Sequence, residues 1–275
     1  NWRTDAVAGN ARVGRSGLWV VESDESDKSL LGLRPEWAVI TNASKDHFGE
    51  SETLALFRQF ATQVKGGILD GVSHPELTAG FSPEVTAQCS RFVYAGIDFE
   101  VGMPGRHNAE NALWAIRACE LLGYAPAAMA EPLRRFQGIH RRLEKVGVAG
   151  GVTVIDDYAH NPAKIEASLK AIAPTARRLF AVWRPHGFRP LRTMLDELTA
   201  VFRGQARPAD RVTILPVYDA GGTADRSINN GALVERLQAA GVAAEALAGP
   251  DPLPARIAGE AGDGSVDALR LELPV

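Results

Sequence analysis

Hydrophobic positions along this chain follow two periods, and the switch between them marks out its elements. Short unbroken apolar runs read as buried strands at residues 18–21 (Leu-Trp-Val-Val), 37–41, 152–155, 179–183 and 212–217. Apolar residues spaced three and four apart read as helices with one buried face. Leu54, Phe57, Ala61 and Val64 place a helix over 54–64, and Leu113, Ile116, Ala118, Leu121 and Leu122 place another that opens at Arg106 and closes at Gly123. The same spacing predicts helices over 127–136, 163–172, 191–202 and 232–240. Alternation over 91–94 and 97–101, with Ala95-Gly96 between, predicts a hairpin. The stretch rich in glycine, proline and serine that runs to Pro83 reads as loop.

From Val146 onward the order is strand, helix, strand, helix, which implies a parallel sheet with right-handed crossovers. The fold class is therefore α/β, with a Rossmann-like second half. The charged segment Ile139-His140-Arg141-Arg142-Leu143-Glu144 is the expected domain boundary, giving domains over 1–140 and 141–275. A chain of 275 residues has room for two cores. The stretch around which the rest is organised is 152–162, Val-Thr-Val-Ile-Asp-Asp-Tyr-Ala-His-Asn-Pro, a strand, a polar loop and a capped helix start. Pro162 suits a first helical turn, where its missing N–H has no partner to lose, and Asn161 is placed to cap.

Composition narrows the function classes. Hydrophobic residues make up 45% and charged residues 23%, with net charge −3, so no basic surface for nucleic acid is implied. No apolar run approaches the ~18 residues of a membrane span. Cys89 and Cys119 have neither metal nor redox spacing, which fits a reducing cytoplasm. The chain opens Asn1-Trp2-Arg3 and enters an apolar run soon after, so its start is expected to lie elsewhere.

The candidate chemistry falls at strand ends, where α/β sheets place their ligands. Asp156, Asp157, Tyr158 and His160 follow one strand, either as a ligand site or as solvated acids beside a helix cap. Glu22 heads an acidic run after residues 18–21, and His47 follows 37–41; together they are candidate ligands for Mg²⁺, against the plainer alternative of a solvated loop. Asn108 and Asn111 lie one turn apart at a helix start, placed to read a purine edge, although an N-cap is the commoner role for Asn108. Arg141 and Arg142 are placed to hold phosphate, and Arg184, Arg189 and Arg192 to anchor a carboxylate, if they are not simply solvated.

Taken in order, the blocks VVESDESD, TNASKDH, MPGRHNAENA, GIHRRLE, VIDDYAHNP, WRPH and LPVYDAGGTADRSI resemble the Mur ligase family, ATP-dependent enzymes that join an amino acid to a carboxylate in peptidoglycan synthesis. The likeness is strongest to the branch that couples UDP-N-acetylmuramate to L-alanine. It implies a partial central ATPase domain with a mostly parallel sheet, followed by a Rossmann-like carboxy-terminal domain. It further implies ATP and Mg²⁺ as cofactors, with a UDP-sugar peptidoglycan precursor and an amino acid as substrates. Glu22 and His47 match the metal ligands, Asn108 and Asn111 the asparagines near adenine, Arg142 the arginine on the terminal phosphate, and Asp157 the acid near the ribose. His160, Arg189 and Arg192 fall where the incoming amino acid is received, with Arg142 and His160 as the catalytic pair. The implied chemistry passes through an acyl phosphate that the amine then attacks.

The chain also departs from that pattern. It contains no Gly-Lys pair and so no phosphate-binding Gly-x-x-x-x-Gly-Lys-Ser/Thr. Asn10-Ala11-Arg12-Val13-Gly14 resembles a family segment that lies beyond that loop, so the chain is expected to start within a domain, without the UDP-binding domain. A fragment of this kind is expected not to turn over alone. The alternatives are a non-catalytic nucleotide-binding or interaction module, or a related ligase using another amino acid or peptide. A dinucleotide-dependent dehydrogenase is disfavoured, since no Gly-x-Gly-x-x-Gly follows a strand.

Overall fold

The computed structural model describes residues 2–3, 8–9, 11, 13–23, 25, 27–43, 49–86, 88–219, 221–260 and 267–271. The chain falls into two compact units, Asn1–Gln137 and Gly138–Val275. Among the described residues no helix is long and apolar enough to cross a membrane.

Unit 1 opens with a short antiparallel pair, β1 (Trp2–Arg3) and β2 (Ala8–Gly9). The parallel strands β3 (Trp37–Ile40) and β4 (Gly67–Asp70) are joined through α1 (Glu50–Ala61). An antiparallel sheet of β5 (Glu84–Val85), β6 (Ser90–Tyr94) and β7 (Ile97–Val101) packs on α2 (Arg106–Leu121). Positive φ at Ala95 (51°) and Gly96 (75°) gives the tight hairpin the twist its strands require. Phe92, Phe99, Val101, Ala109, Leu113 and Ile116 form the core between sheet and helix. Gly71 admits the Trp114 indole so closely that a Cβ there would lie 2.6 Å from the ring.

Two expectations fail in this unit. Residues 18–21 form no strand, and Leu18, Trp19, Val20 and Val21 are all exposed, Trp19 to 89%. A strand exists by virtue of a neighbour's hydrogen bonds and a packed face, and among the described residues none pairs with this run. The helix expected over 127–136 is instead a 3₁₀ turn, Pro126–Met129, followed by a short α3 (Ala130–Arg134). Pro126 and Pro132 supply no N–H to a continuous ladder.

Unit 2 is built on a six-stranded sheet of order β12-β11-β10-β13-β9-β8. Its elements are β8 (Glu144–Ala149), β9 (Val152–Asp157), α4 (Pro162–Ile172), β10 (Leu179–Trp183), α5 (Phe188–Thr193), α6 (Leu195–Gln205), β11 (Arg211–Ile214), α7 (Asn230–Ala239), β12 (Ala244–Ala246), α8 (Leu253–Glu260) and β13 (Asp267–Leu271). All neighbours are parallel except β8, which returns antiparallel to β9 through Gly150-Gly151, both at positive φ. The alternation seen in the sequence did not reveal that hairpin. The last strand, β13, is inserted between β9 and β10. The helix expected over 191–202 is two, divided at Met194.

Both faces of this sheet are covered. Along β10, Leu179, Ala181 and Trp183 enter one core with Phe202, Leu198 and Ile165, while Phe180 and Val182 enter the other with Val152 and Leu215. Double burial is why the strand reads as an unbroken apolar run. Asp210 ties the start of β10, accepting from the Leu179 amide at 2.8 Å and from the Arg207 side chain at 2.8 and 2.9 Å. Burial pushes its carboxyl up, but the bonds from Arg207 and Leu179 more than offset that and leave it below its ordinary value.

Candidate functional site

The polar loops of unit 2 leave the sheet at the carboxyl ends of its strands. Asn161 caps α4, its side chain accepting from the Lys164 amide at 2.9 Å, with Pro162 in the first turn as the sequence predicts. That cap sets where the strand-to-helix loop must end, and it brings Asp157 and His160 onto one short arc.

Asp157 is almost fully buried and has three protein donors. Oδ2 accepts from the Leu143 amide at 2.8 Å, and Oδ1 accepts from the Ala159 amide and the Ser168 hydroxyl, each at 2.9 Å. Burial pushes its carboxyl up, against those bonds and the nearby Arg142 cation, and the net shift is upward. Leu143 belongs to a turn in which Arg141 and Leu143 both have positive φ, 60° and 47°. Arg142 lies between them, exposed, so the turn carries its cation to the surface beside Asp157. The Arg141 guanidinium lies over the Tyr158 ring at 4.5 Å and 3.9 Å from Asp156.

His160 Nδ1 lies 3.0 Å from the Tyr158 carbonyl oxygen, which can only accept, so the ring carries its proton on Nδ1. Nε2 then presents a lone pair, and the Lys164 ammonium lies 3.3 Å from it. The loop after β10 places Arg184 over the Tyr218 ring at 5.5 Å and His186 5.3 Å from the same ring. Arg192 bonds Asp225 at 2.9 Å and the Ser227 hydroxyl at 2.8 Å. Arg226 grips Asp219 at 2.7 and 3.1 Å. Arg189 is exposed in the first turn of α5.

In unit 1, α2 starts after Gly105, so Asn108 is the third helical residue and not the N-cap. Its Nδ2 donates to the Pro104 carbonyl at 2.6 Å, which fastens the helix start. Asn111, one turn further on, is exposed. Glu22 is exposed outside any helix or strand, and His47 lies outside the described residues. Among the described residues no group of three or more His, Cys, Asp or Glu side chains gathers as a metal site would require.

Sequence reasoning missed Ser168, the partners of Arg192, and the Arg141–Tyr158 stack. Ser168 had a signal, a hydroxyl within the apolar stripe of Ile165, Leu169 and Ile172. Asp225 and Ser227 had none, because their pairing with Arg192 spans more than 30 residues of chain.

Unit 2 is thus an α/β domain with a basic and imidazole-bearing rim at the carboxyl ends of a mostly parallel sheet. Residues 141–267 match the family model described as Mur ligase, glutamate ligase domain, and the chain belongs to the Mur ligase family. It is similar to the UDP-N-acetylmuramate--L-alanine ligase of Sinorhizobium fredii, 33% identical over 291 residues covering 90% of this chain and 61% of that one. To the ligase of the same name from Chelativorans sp. it is 35% identical over 272 residues, covering 84% of this chain and 58% of that one. The chain therefore spans about three fifths of the length of these relatives. Among solved structures its fold is like that of the UDP-N-acetylmuramate-alanine ligase of Thermotoga maritima, with TM-score 0.70 and 20% identity over 92% of this chain and 59% of that one. It is also like that of the Mycobacterium tuberculosis folylpolyglutamate synthase complexed with ADP, with TM-score 0.58 and 16% identity over 85% of this chain and 51% of that one. At these identities the likeness is one of fold.

Proposed function

We propose that the chain carries the carboxy-terminal domain and part of the central ATPase domain of a ligase that uses ATP to join L-alanine to UDP-N-acetylmuramate. The observation that carries this proposal is Arg142, held exposed at the tip of a bonded turn within the matched domain. ATP supplies the phosphoryl group that activates the carboxylate, and Mg²⁺ offsets its charge. Arg142 binds the terminal phosphate through charge-assisted bonds, for which a planar guanidinium is suited. Asp157 lies near the ribose in this proposal, since a carboxylate oxygen has two acceptor sites and one bond from Leu143 does not exhaust Oδ2.

His160 has its ring orientation fixed by the Tyr158 carbonyl and faces the incoming amino acid. Arg192 exchanges Asp225 for the amino acid's carboxylate, with Arg189 beside it on the same helix. Asn111 reads the adenine edge, while Asn108 secures the helix that presents it. Glu22 and His47 remain the proposed Mg²⁺ ligands.

By itself the chain binds nucleotide without turnover, since its sequence holds no phosphate-binding Gly-Lys loop. The same feature favours a second possibility, a nucleotide-binding module that has no chemistry of its own. Calorimetric titration of ATP with and without Mg²⁺ tests the site. Mg²⁺-sensitive binding that weakens in Arg142→Ala and Asn111→Ala supports it, and a folded chain that binds no nucleotide overturns it. ATP hydrolysis matching that of a full-length ligase would overturn the expected lack of turnover.

A further inference from the structure

We propose that Ser168 and Glu144 are positioning residues for Arg142, holding the turn of residues 140–143 in a shape that its own backbone disfavours. This rests on the role proposed above for Arg142. Among the described residues four that are not glycine have positive φ, and two of them, Arg141 and Leu143, flank Arg142. A leucine rarely adopts that conformation. Such geometry persists only where surrounding groups over-determine it, and it concentrates at functional sites.

The groups that do so can be named. Glu144 accepts from the Arg141 amide at 2.9 Å and meets His140 Nδ1 at 3.1 Å, fixing the entry to the turn. The Tyr158 amide donates to the Arg141 carbonyl at 2.8 Å, and Asp157 accepts from the Leu143 amide at 2.8 Å, fixing the exit. Ser168 reaches from α4 and donates to Asp157, sharing its hydroxyl with the Lys164 carbonyl at 3.0 Å. It stands in an apolar stripe where packing alone would place an aliphatic residue. Its hydroxyl holds one oxygen of Asp157 so that the other stays aimed at Leu143. The chain of contacts therefore runs Ser168, Asp157, Leu143, Arg142, and ends on an exposed cation.

A turn held in advance spends no binding energy on ordering Arg142 when an anion arrives. Its benefit must fall on the phosphate that Arg142 meets and not on the rest of the nucleotide. The test compares the non-hydrolysable triphosphate AMPPNP with ADP, both with Mg²⁺, on the full chain and on Arg142→Ala, Ser168→Ala, Ser168→Thr and Glu144→Gln. Arg142→Ala is expected to weaken AMPPNP about tenfold while barely moving ADP. Ser168→Ala and Glu144→Gln are expected to weaken AMPPNP about three- to tenfold with ADP again unmoved, and Ser168→Thr to restore most of the loss. Combined with Arg142→Ala, Ser168→Ala should add nothing further.

Additive losses, or equal losses for AMPPNP and ADP, overturn the positioning role. Amide hydrogen exchange supplies a readout that needs no ligand: Leu143 should exchange slowly in the wild type and faster in Ser168→Ala, with the β10 amides unchanged. Leu143 exchange that does not respond to Ser168→Ala overturns the proposal whatever the nucleotides do. A wild type that binds neither nucleotide overturns the role given to Arg142, and with it the use proposed for the turn.

Discussion

Residues 18–21 and strand β10 are nearly the same in sequence character, Leu-Trp-Val-Val against Leu-Phe-Ala-Val-Trp, yet they end in opposite environments. Every side chain of β10 is buried, and Trp183 is 1% exposed. Every side chain of residues 18–21 is exposed. The difference lies in their neighbours. β10 has β11 on one side and β13 on the other, with cores on both faces. No described strand pairs with 18–21. An apolar run states a preference for burial, and only a partner on each side converts that preference into a strand.

That contrast can be broken or sharpened by substitution. Trp183→Ala should cost unit 2 about 3–5 kcal/mol, because it empties a fully buried indole site beside Phe202. Urea unfolding followed by far-UV circular dichroism measures it, and a loss under about 1 kcal/mol would mean that β10 is not the packed centre described. Asp210→Asn should cost about 1–3 kcal/mol near neutral pH by weakening the tie at the start of β10.

The pH dependence of that second effect has a definite sign. The folded carboxyl lies below its ordinary value of 3.8, so the unfolded state binds the proton more readily. Its stabilisation is present above 3.8 and disappears as the pH falls through the folded value. The gap between wild type and Asp210→Asn should therefore close in acid unfolding series, and a gap independent of pH would contradict the assignment.

In unit 1, Gly71→Ala should cost about 1–3 kcal/mol, since the new methyl meets the Trp114 ring and the Thr41 carbonyl. Thermal unfolding of the variant checks it. The smallest effect is expected for Trp19→Ser, within about 0.5 kcal/mol, because the indole is already in water. A loss comparable with Trp183→Ala would show that residues 18–21 are packed in solution, and the contrast between the two runs would fall.

Legibility followed the same division within the candidate site. The Asn161 cap and Pro162 start were visible because both act on the adjacent backbone. The hairpin at Ala95-Gly96 was visible for the same reason. A cap role for Asn108 is the plain sequence reading, but the N-cap is Gly105, three residues earlier, and the Asn108 amide turns to Pro104. The charge of Arg192 makes it a candidate for a substrate carboxylate from the sequence, while its contacts with Asp225 and Ser227 depend on a loop from a distant part of the chain.

Most of the periodic elements, the capped helix after β9, the α/β class and the family are legible in the sequence alone, because each is written in residues close together or in blocks kept in order. The folded chain was needed to see that β13 enters the middle of the sheet, that β8 returns antiparallel, that no described strand pairs with residues 18–21, and that Asp157, itself bonded by Ser168, bonds to the turn bearing Arg142. Strand pairing and the choice of hydrogen-bond partner join residues far apart along the chain. Their free energy exists only once folding has brought those residues within contact distance.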